Sequence, residues 1–251
     1  MIIDSHAHIG TSEKLSMRYM TFESCYYLMR ASGIDKAVAI PNLSSEIKSS
    51  MLNEKMLAKY HRSEVREYFY PMLVIDPRDM NSLEQIEEYN DIIYGVKYHP
   101  SISEMIITKK NMRPFLELIG KYNLPALIHC GRHWRSHISY LIDVAVEFKS
   151  ITFIAAHMGG NATDLVTHAI DLIKASKAEN IYLDTSASKL PWLIEKAVTV
   201  LGADKILFGS DEPYADVRIA KYCVELCDIN DENKKLIFYK NLERILGVED
   251  V

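Results

Sequence analysis

Short apolar runs alternate with amphipathic segments along the whole of this 251-residue sequence. Eight of the runs have the length and composition of strands, and each is followed by a segment whose apolar residues recur at helical spacing. Such alternation predicts parallel pairing, and eight units in about 250 residues predict a closed barrel. We therefore expect an α/β fold, a distorted (β/α)8 TIM barrel with an extra C-terminal helix, formed by residues 1–251 as one domain. An open, doubly wound sheet is the alternative.

The bounds of the predicted elements follow from the glycines, prolines and polar residues that interrupt the apolar pattern. The predicted strands cover residues 2–9, 36–40, 68–75, 92–99, 125–130, 151–157, 181–186 and 205–211. The predicted helices cover residues 22–32, 46–61, 82–89, 111–122, 133–148, 161–175, 190–201, 216–228 and 232–246. Pro114 falls inside one helical segment, where it is tolerated only in the first turn.

Polar side chains that could bind a metal stand at the C-terminal ends of five predicted strands. In the first strand, Asp4, His6 and His8 occupy alternate positions, so regular strand geometry puts them on one face. The others are Lys97 in strand four, His129 in strand five, His157 in strand six and Asp211 in strand eight. Alternation in strand six pairs His157 with Ala155 on the inward face. Because barrel active sites lie at this end of the strands, we expect the polar groups to converge at one mouth.

Three imidazoles and one carboxylate favour Zn²⁺ over Mg²⁺ or Ca²⁺, which prefer oxygen ligands, and Fe²⁺ or Mn²⁺ could replace zinc. We expect one ion, with two as the alternative. Bound zinc lowers the pKa of its water to around 7. Asp211 could hold that water and accept its proton, and His157 could hydrogen-bond the water or the substrate. The alternative for His157 is a buried structural histidine bonded to a carbonyl group.

Composition narrows the choice of partners. The net charge is −5 and no basic block occurs, so nucleic acid is not expected as a partner. No apolar run approaches the roughly 18 residues of a membrane span, and the sequence does not start with the basic and apolar regions of a signal peptide. The four cysteines form no C-x-x-C pair, which predicts free thiols and a cytoplasmic protein. We expect a small-molecule substrate, and the sequence leaves open whether the protein forms a homodimer.

Seven segments distributed along the chain resemble those of a known family. They are Asp4-Ser-His-Ala-His8, Gly95-Val-Lys97, Ile128-His129, Ala156-His157-Met-Gly-Gly160, Tyr182-Leu-Asp-Thr-Ser186, Leu207-Phe-Gly-Ser-Asp211-Glu-Pro213 and Asn241-Leu-Glu-Arg-Ile-Leu-Gly247. In this order they resemble the amidohydrolase superfamily, and within it the amidohydrolase-related (family 2) branch that includes aminocarboxymuconate-semialdehyde decarboxylase. The resemblance implies a distorted (β/α)8 barrel.

The resemblance also implies roles for individual residues. It implies a metal ion held by His6, His8, His129 and Asp211, with Asp211 serving as both ligand and base. His157 would lie beside the metal-bound water as a catalytic residue.

Lys97 is the position at which the branches of this family differ. In binuclear relatives a lysine here is carboxylated and bridges two metals, and the strand-five and strand-six histidines bind the second ion. Lys97 and His157, together with His129, would then be ligands of a second ion. A free Lys97 could instead bind a substrate carboxylate, or it could fill the barrel, paired with an acid such as Asp4. Arg132, in the loop after strand five, could bind an anionic substrate, although a surface position is equally compatible with the sequence.

Three further groups of residues complete the sequence-based picture of the barrel mouth. Met17, Tyr19 and Met20 could line a lid on the first loop, or they could cover the barrel top. Trp134 and Trp192 are expected to pack near the rim. His133 and His137 are four residues apart on a predicted helix and are expected to face solvent.

The activity expected first is metal-dependent hydrolysis, in which an activated water attacks a small amide, lactone or ester. The alternative is a metal-dependent non-oxidative decarboxylase of an unsaturated or aromatic acid, since one barrel supports many chemistries. A metal-binding barrel without catalysis is a third interpretation. The spare His157 argues against it, because neither metal binding nor folding requires that residue.

Overall fold

The computed structural model describes residues 1–10 and 20–248, and within them strands and helices alternate as predicted. The strands are β1 (Ile3–Asp4), β2 (His8–Ile9), β3 (Lys36–Pro41), β4 (Phe69–Pro71), β5 (Leu73–Ile75), β6 (Val96–Tyr98), β7 (Ala126–Ile128), β8 (Phe153–Ala155), β9 (Ile181–Asp184) and β10 (Ile206–Leu207). β1 and β2 are two halves of the first predicted strand, and β4 and β5 are two halves of the third.

The helices occupy most of the segments with helical periodicity. They are α1 (Phe22–Ala31), α2 (Ser49–Arg62), α3 (Asn81–Glu88), α4 (Lys109–Lys121), α5 (Ile138–Glu147), α6 (Thr163–Ala175), α7 (Pro191–Leu201), α8 (Val217–Glu225), α9 (Asp231–Lys235) and α10 (Asn241–Leu246). A π-helical turn joins α9 to α10. Among the described residues, no helix has both the length and the hydropathy needed to cross a bilayer.

The strands pair in parallel in two sheets. One sheet has the order β1-β3-β2 with β4 beside β3, and the other runs β10-β9-β8-β7-β6-β5. Backbone hydrogen bonds connect the sheets at two seams, and they include those from the Ser5 amide to the Phe208 carbonyl and from the Met72 amide to the Ala39 carbonyl, both 2.9 Å. The eight predicted strands therefore follow one another around a distorted barrel, but regular strand pairing within residues 1–10 and 20–248 does not close the ring.

Two groups of buried side chains alternate along the strands. Val38 and Ile40 of β3 belong to a group inside the barrel, whereas Ala37 and Ala39 pack towards the helices. Leu242 of α10 joins the inner group, so the extra C-terminal helix covers one end of the barrel. All four cysteines are buried free thiols, as expected from their spacing.

The first strand contains one extra residue, which changes the face of its polar side chains. β1 pairs with β3 as Ile3 with Lys36, whereas β2 pairs as His8 with Ile40, so the register shifts by one. Such a bulge reverses the inward and outward positions. Ile3 lies in the inner group and the rings of His6 and His8 line the cavity inside the barrel, but Asp4 faces the other way. The prediction that Asp4 shares a face with the two histidines is therefore wrong.

Several other local predictions need correction. A Thr108–Asn111 capping box starts α4 at Lys109, so Pro114 lies in its sixth position rather than in the first turn. The segment predicted as one helix over residues 133–148 is a 3₁₀ turn followed by α5, because His137 caps α5. His133 and His137 therefore do not share a helix face, and His137 is only half-exposed. Trp134 and Trp192 are 60% and 46% exposed, so neither is a packing residue.

We predict that Gly159→Ala destabilises the protein much more than Gly247→Ala. Both glycines have positive φ, which costs a non-glycine residue about 1 kcal/mol. A Cβ at Gly159 would also lie 2.8 Å from the Ala169 Cβ, whereas a Cβ at Gly247 meets nothing within 4 Å. We expect the free energy of unfolding, measured with urea, to fall by about 2 to 4 kcal/mol in Gly159→Ala and by about 1 kcal/mol in Gly247→Ala. Equal losses would contradict the packing around residue 159.

Candidate metal centre and active site

Backbone pairing between the first and last strands brings three predicted metal ligands together. The Asp211 amide donates to the His6 carbonyl at 2.7 Å, and the His8 amide donates to the Glu212 carbonyl at 2.8 Å. The His6 and His8 Nε2 atoms lie 3.2 Å apart. Asp211 Oδ1 lies 3.3 Å from the His6 Nε2 and 3.2 Å from the His8 Nε2. These three atoms form a triangle with nearly equal sides.

The donor set and spacing of this triangle fit one divalent ion. Ligands at about 2.0 to 2.2 Å from a metal stand roughly 3 to 3.5 Å from each other in tetrahedral or octahedral geometry. His6 donates its Nδ1 proton to Asp184 at 2.9 Å, so its Nε2 atom carries a lone pair. The ionised Asp211 contributes further lone pairs. Although burial favours its neutral form, the neighbouring His6 and His8 hold the Asp211 pKa far below its usual value.

A second group of potential ligands, formed by His6, His157 and Asp184, is better explained as a hydrogen-bonded support. Asp184 is completely buried, and it accepts the His6 ring proton through Oδ2. Its Oδ1 accepts the backbone amide of His157 at 2.8 Å, the amide of Ser186 at 3.1 Å and the Ser186 hydroxyl. Burial alone would raise the Asp184 pKa, but the charge interaction with His6 and these hydrogen bonds lower it to about 2.

His157 reaches the barrel mouth through a left-handed turn rather than through strand alternation. Ala155, the last residue of β8, packs outwards, so the predicted pairing of His157 with Ala155 on one face is wrong. His157 and Met158 have φ values of 58° and 57°, and Gly159 follows at 79°. Such conformations cost about 1 to 3 kcal/mol each for non-glycine residues. The hydrogen bond from the His157 amide to Asp184 stabilises the turn, and the turn directs the His157 ring into the cavity.

His129 lies in the same cavity but outside the three-atom triangle. Its Nδ1 is 3.1 Å from His157 Nε2, and its ring stacks on His99 with centroids 3.7 Å apart. Leu127, two residues before it, belongs to the inner group, which agrees with the predicted alternation in this strand. The role of His129 as a metal ligand stays a prediction.

Lys97 is buried beside the triangle, with 1% of its surface exposed. Its Nζ lies 3.0 Å from the His6 Nε2, and burial lowers its pKa to about 8. The expected alternative partner, Asp4, instead accepts the Ser210 amide at 2.9 Å, the Ser210 hydroxyl at 2.5 Å and the His6 amide at 2.9 Å. Asp4 therefore braces the first strand against the last, and Lys97 faces the candidate metal site.

A cavity of about 740 Å³ opens onto these groups. Its walls include both triangle histidines, Asp211, Lys97, His99, His129 and His157. Arg132 is exposed and is not among the lining residues, so its side chain would have to fold over the mouth to contact a substrate. Met20 is fully buried in the group that packs towards the helices and does not line the cavity, whereas Met17 and Tyr19 lie outside the described residues.

Two residues at the centre of the site were not predicted from the sequence. Asp184 and Ser186 appeared only as part of a family-like segment, without a role. The available signal was the pair of polar side chains, Asp184 and Ser186, at the end of an apolar strand. What they contact depends on residues 27 to 180 positions away, which no local pattern indicates.

We predict that the metal-free protein loses stability as the pH falls from 7.5 to 5. Burial is the main reason that the pKa values of His99, His129 and His157 are lowered, and it lowers that of His6 to about 4. These rings stay neutral in the fold while the unfolded chain takes up protons below about pH 6.5. His6 alone would cost about 3 kcal/mol by pH 4. Asp4, with its pKa raised by burial to about 7, offsets part of this loss.

Urea unfolding of chelator-treated protein at pH 7.5, 6.0 and 5.0 measures this dependence. His99→Phe removes one of the neutral rings without touching the triangle, so we expect its free energy of unfolding to fall less steeply. A free energy that is flat over this range, or an unchanged slope in the variant, would mean that the rings are not buried as neutral groups.

Solved structures of other proteins have this fold over nearly the whole length of the chain. Among curated proteins no match is found. 5-Carboxyvanillate decarboxylase from Sphingomonas paucimobilis superposes with a TM-score of 0.78 at 13% identity, over 99% of both chains. A dihydroxybenzoic acid decarboxylase from Polaromonas, solved with manganese and 2-nitroresorcinol, has a TM-score of 0.77 at 16% identity, over 100% of this chain and 98% of its own.

A third solved structure carries a different chemistry on the same fold. It is a candidate 2-pyrone-4,6-dicarboxylic acid hydrolase from Pseudomonas putida, with a TM-score of 0.69 at 15% identity, over 100% of this chain and 98% of its own. At these identities the similarity establishes the fold alone, and it confirms the predicted TIM-barrel architecture.

The family model for amidohydrolases matches residues 3–248, which confirms the resemblance based on the strand-end segments. Together with the cluster of His6, His8 and Asp211, this match supports a divalent metal ion in the site. A match over nearly the whole sequence means that this chain belongs to the amidohydrolase family.

Proposed function

We propose that this protein is a divalent-metal-dependent decarboxylase that removes carbon dioxide from a small aromatic or unsaturated acid without an oxidant. The observation that carries the proposal is the single triangle of ligand atoms from His6, His8 and Asp211, open to a histidine-lined cavity. The second ligand group is occupied by its own hydrogen bonds, which favours a mononuclear site. Two solved decarboxylases with this fold add support.

In this proposal the triangle holds zinc or manganese, and His129 completes the set as a fourth ligand. When bound, such an ion supplies positive charge that orients the substrate oxygens and offsets negative charge built up during the reaction. Buried Lys97 then binds the substrate carboxylate or an adjacent oxygen. Carboxylation of Lys97 and a second ion held by Lys97 and His157 are the alternative arrangement.

Proton transfer is the step for which the chain's own residues are needed. When carbon dioxide leaves, the bonding electron pair stays on the ring or alkene carbon, and that carbon must gain one proton. The pKa values of Asp211 and His157 are both lowered, the first despite burial and the second mainly because of it. Both groups therefore rest as acceptors. We assign to them the transfer of a proton from a substrate hydroxyl or from solvent to this carbon.

Hydrolysis, the activity expected first from the sequence, is the second candidate. The protonation state in which Asp211 is a proton acceptor favours hydrolysis too, because an ionised Asp211 beside a metal site is ready to accept a proton from water. The candidate pyrone dicarboxylate hydrolase with this fold supports it as well. The two reactions differ in their products, so a direct assay separates them.

We predict that the metal-loaded protein releases carbon dioxide from 5-carboxyvanillate or 2,6-dihydroxybenzoate. Activity should disappear after chelation and return with Zn²⁺ or Mn²⁺, at about one ion per chain by elemental analysis. 2-Pyrone-4,6-dicarboxylate serves as the hydrolase probe, and its opening to an acid without carbon dioxide release would favour the second candidate. Two ions per chain would contradict the mononuclear site.

We predict that His157→Asn lowers kcat at least about 100-fold, as expected for the loss of a general acid–base group. Metal content measured in excess Zn²⁺ should stay at the wild-type value, because His157 lies outside the triangle. His133→Asn is the matched control, since His133 is exposed and does not line the cavity. Full turnover in the His157 variant, or loss of its metal, would refute the assigned role.

A further inference from the structure

The hydroxyl group of Ser186 joins two other side chains in the buried hydrogen-bond network, Asp184 and His157. It donates its only proton to the ionised Oδ1 of Asp184. The Ser186 Oγ also lies 2.9 Å from the His157 Nδ1. A carboxylate can only accept, and a hydroxyl has one proton. Because that proton is committed to Asp184, Ser186 can bond the His157 ring only as an acceptor.

The direction of this bond fixes the proton on His157. Its Nδ1 must carry the proton that Ser186 accepts, so in a neutral ring the Nε2 carries a lone pair. This lone pair faces the His129 Nδ1 at 3.1 Å. A hydrogen bond across that distance requires His129 to be the donor. A neutral His129 that donates from Nδ1 then has its own lone pair at Nε2.

We propose that Ser186 is a positioning residue that fixes the tautomers of His157 and, through it, of His129, so that both rings carry their proton at Nδ1 and a lone pair at Nε2. The chain of donors runs from His129 to His157, then to Ser186 and finally to Asp184. Asp184 also accepts the Nδ1 proton of His6 at 2.9 Å. One carboxylate thus sets the tautomers of three imidazoles.

The consequence for the metal centre concerns the predicted fourth ligand. A histidine binds a metal ion through an unprotonated nitrogen, and the partner of its other nitrogen selects which one that is. With Ser186 in place, His129 keeps an unprotonated Nε2. Without the hydroxyl, the His157–His129 pair can reverse, with His157 donating from Nε2 and His129 left protonated at Nε2. The inference deepens the proposed function and rests on its assignment of His129.

The test compares Ser186→Ala with Ser188→Ala and uses Ser186→Thr as the variant that keeps a hydroxyl. Ser188 is the matched control, because it lies in the same loop and its buried hydroxyl has no hydrogen-bond partner among the described residues. Histidine ring ¹⁵N spectra of zinc-loaded, ¹⁵N-histidine-labelled protein report the tautomers directly. His157→Asn and His129→Asn identify the two rings.

In wild-type protein and in Ser188→Ala, we expect protonated Nδ1 and unprotonated Nε2 on both rings. In Ser186→Ala we expect mixed tautomers, about 10- to 100-fold weaker zinc binding and a similar fall in kcat. Ser186→Thr should restore these properties. Protonated Nε2 on either ring of the wild type, or wild-type spectra and zinc affinity in Ser186→Ala, would overturn the proposal.

The spectra separate this proposal from the proposed function. If the wild type turns over none of the probes but shows the expected tautomers, the proposed function fails and the role of Ser186 stands. Circular dichroism of each variant checks folding. If Ser186→Thr does not fold, Ser186→Cys replaces it, because a thiol is a weak donor and acceptor of similar size.

Discussion

The buried Asp184 carboxylate is the group on which the arrangement of the site depends. It accepts hydrogen bonds from the His6 ring, from the backbone of His157 and from Ser186. These donors come from the first strand, from the turn after β8 and from the loop after β9, so one side chain connects three parts of the barrel. Burying a carboxylate without hydrogen-bond partners would cost much free energy. The four N–H and O–H groups that donate to Asp184 offset that cost. The same bonds orient the imidazoles that face the cavity.

Two departures from regular strand geometry make this convergence feasible. The extra residue in the first strand turns His6 and His8 inwards while Ile3 still fills the barrel. The left-handed turn after β8 brings His157 to the mouth from a strand whose alternation would have placed it on the outer side. Strained or bulged backbone of this kind is common next to functional sites. In both places, hydrogen bonds to a buried aspartate hold the altered backbone: Asp4 at the bulge and Asp184 at the turn.

The electrostatic character of the site follows from its burial. The imidazoles are neutral and the carboxylates are ionised, so lone pairs outnumber protons around the triangle. Such a set of atoms suits a cation, and its groups accept protons before they donate them. Lys97 is the one buried ammonium-bearing side chain among the described residues that faces this cluster, and its lowered pKa reflects the cost of charge in that position. The solved structures with this fold include decarboxylases and a candidate hydrolase, because chemistry is decided by the groups at the strand ends and by the loops above them.

The sequence by itself determined the order of strands and helices, the family and the set of polar residues at the strand ends. Each of these follows from local periodicity or from short segments in which the informative residues are neighbours. Only the tertiary structure decided which of the residues meet. The bonds from Asp184 to His6 and His157 span 178 and 27 positions, and the reversed face of Asp4 depends on a register with β3. Such contacts are set by the packing of strands distant in sequence, so a pattern read along one strand could name His6, His8 and Asp211 but could not reveal that Asp184 orients the His6 ring.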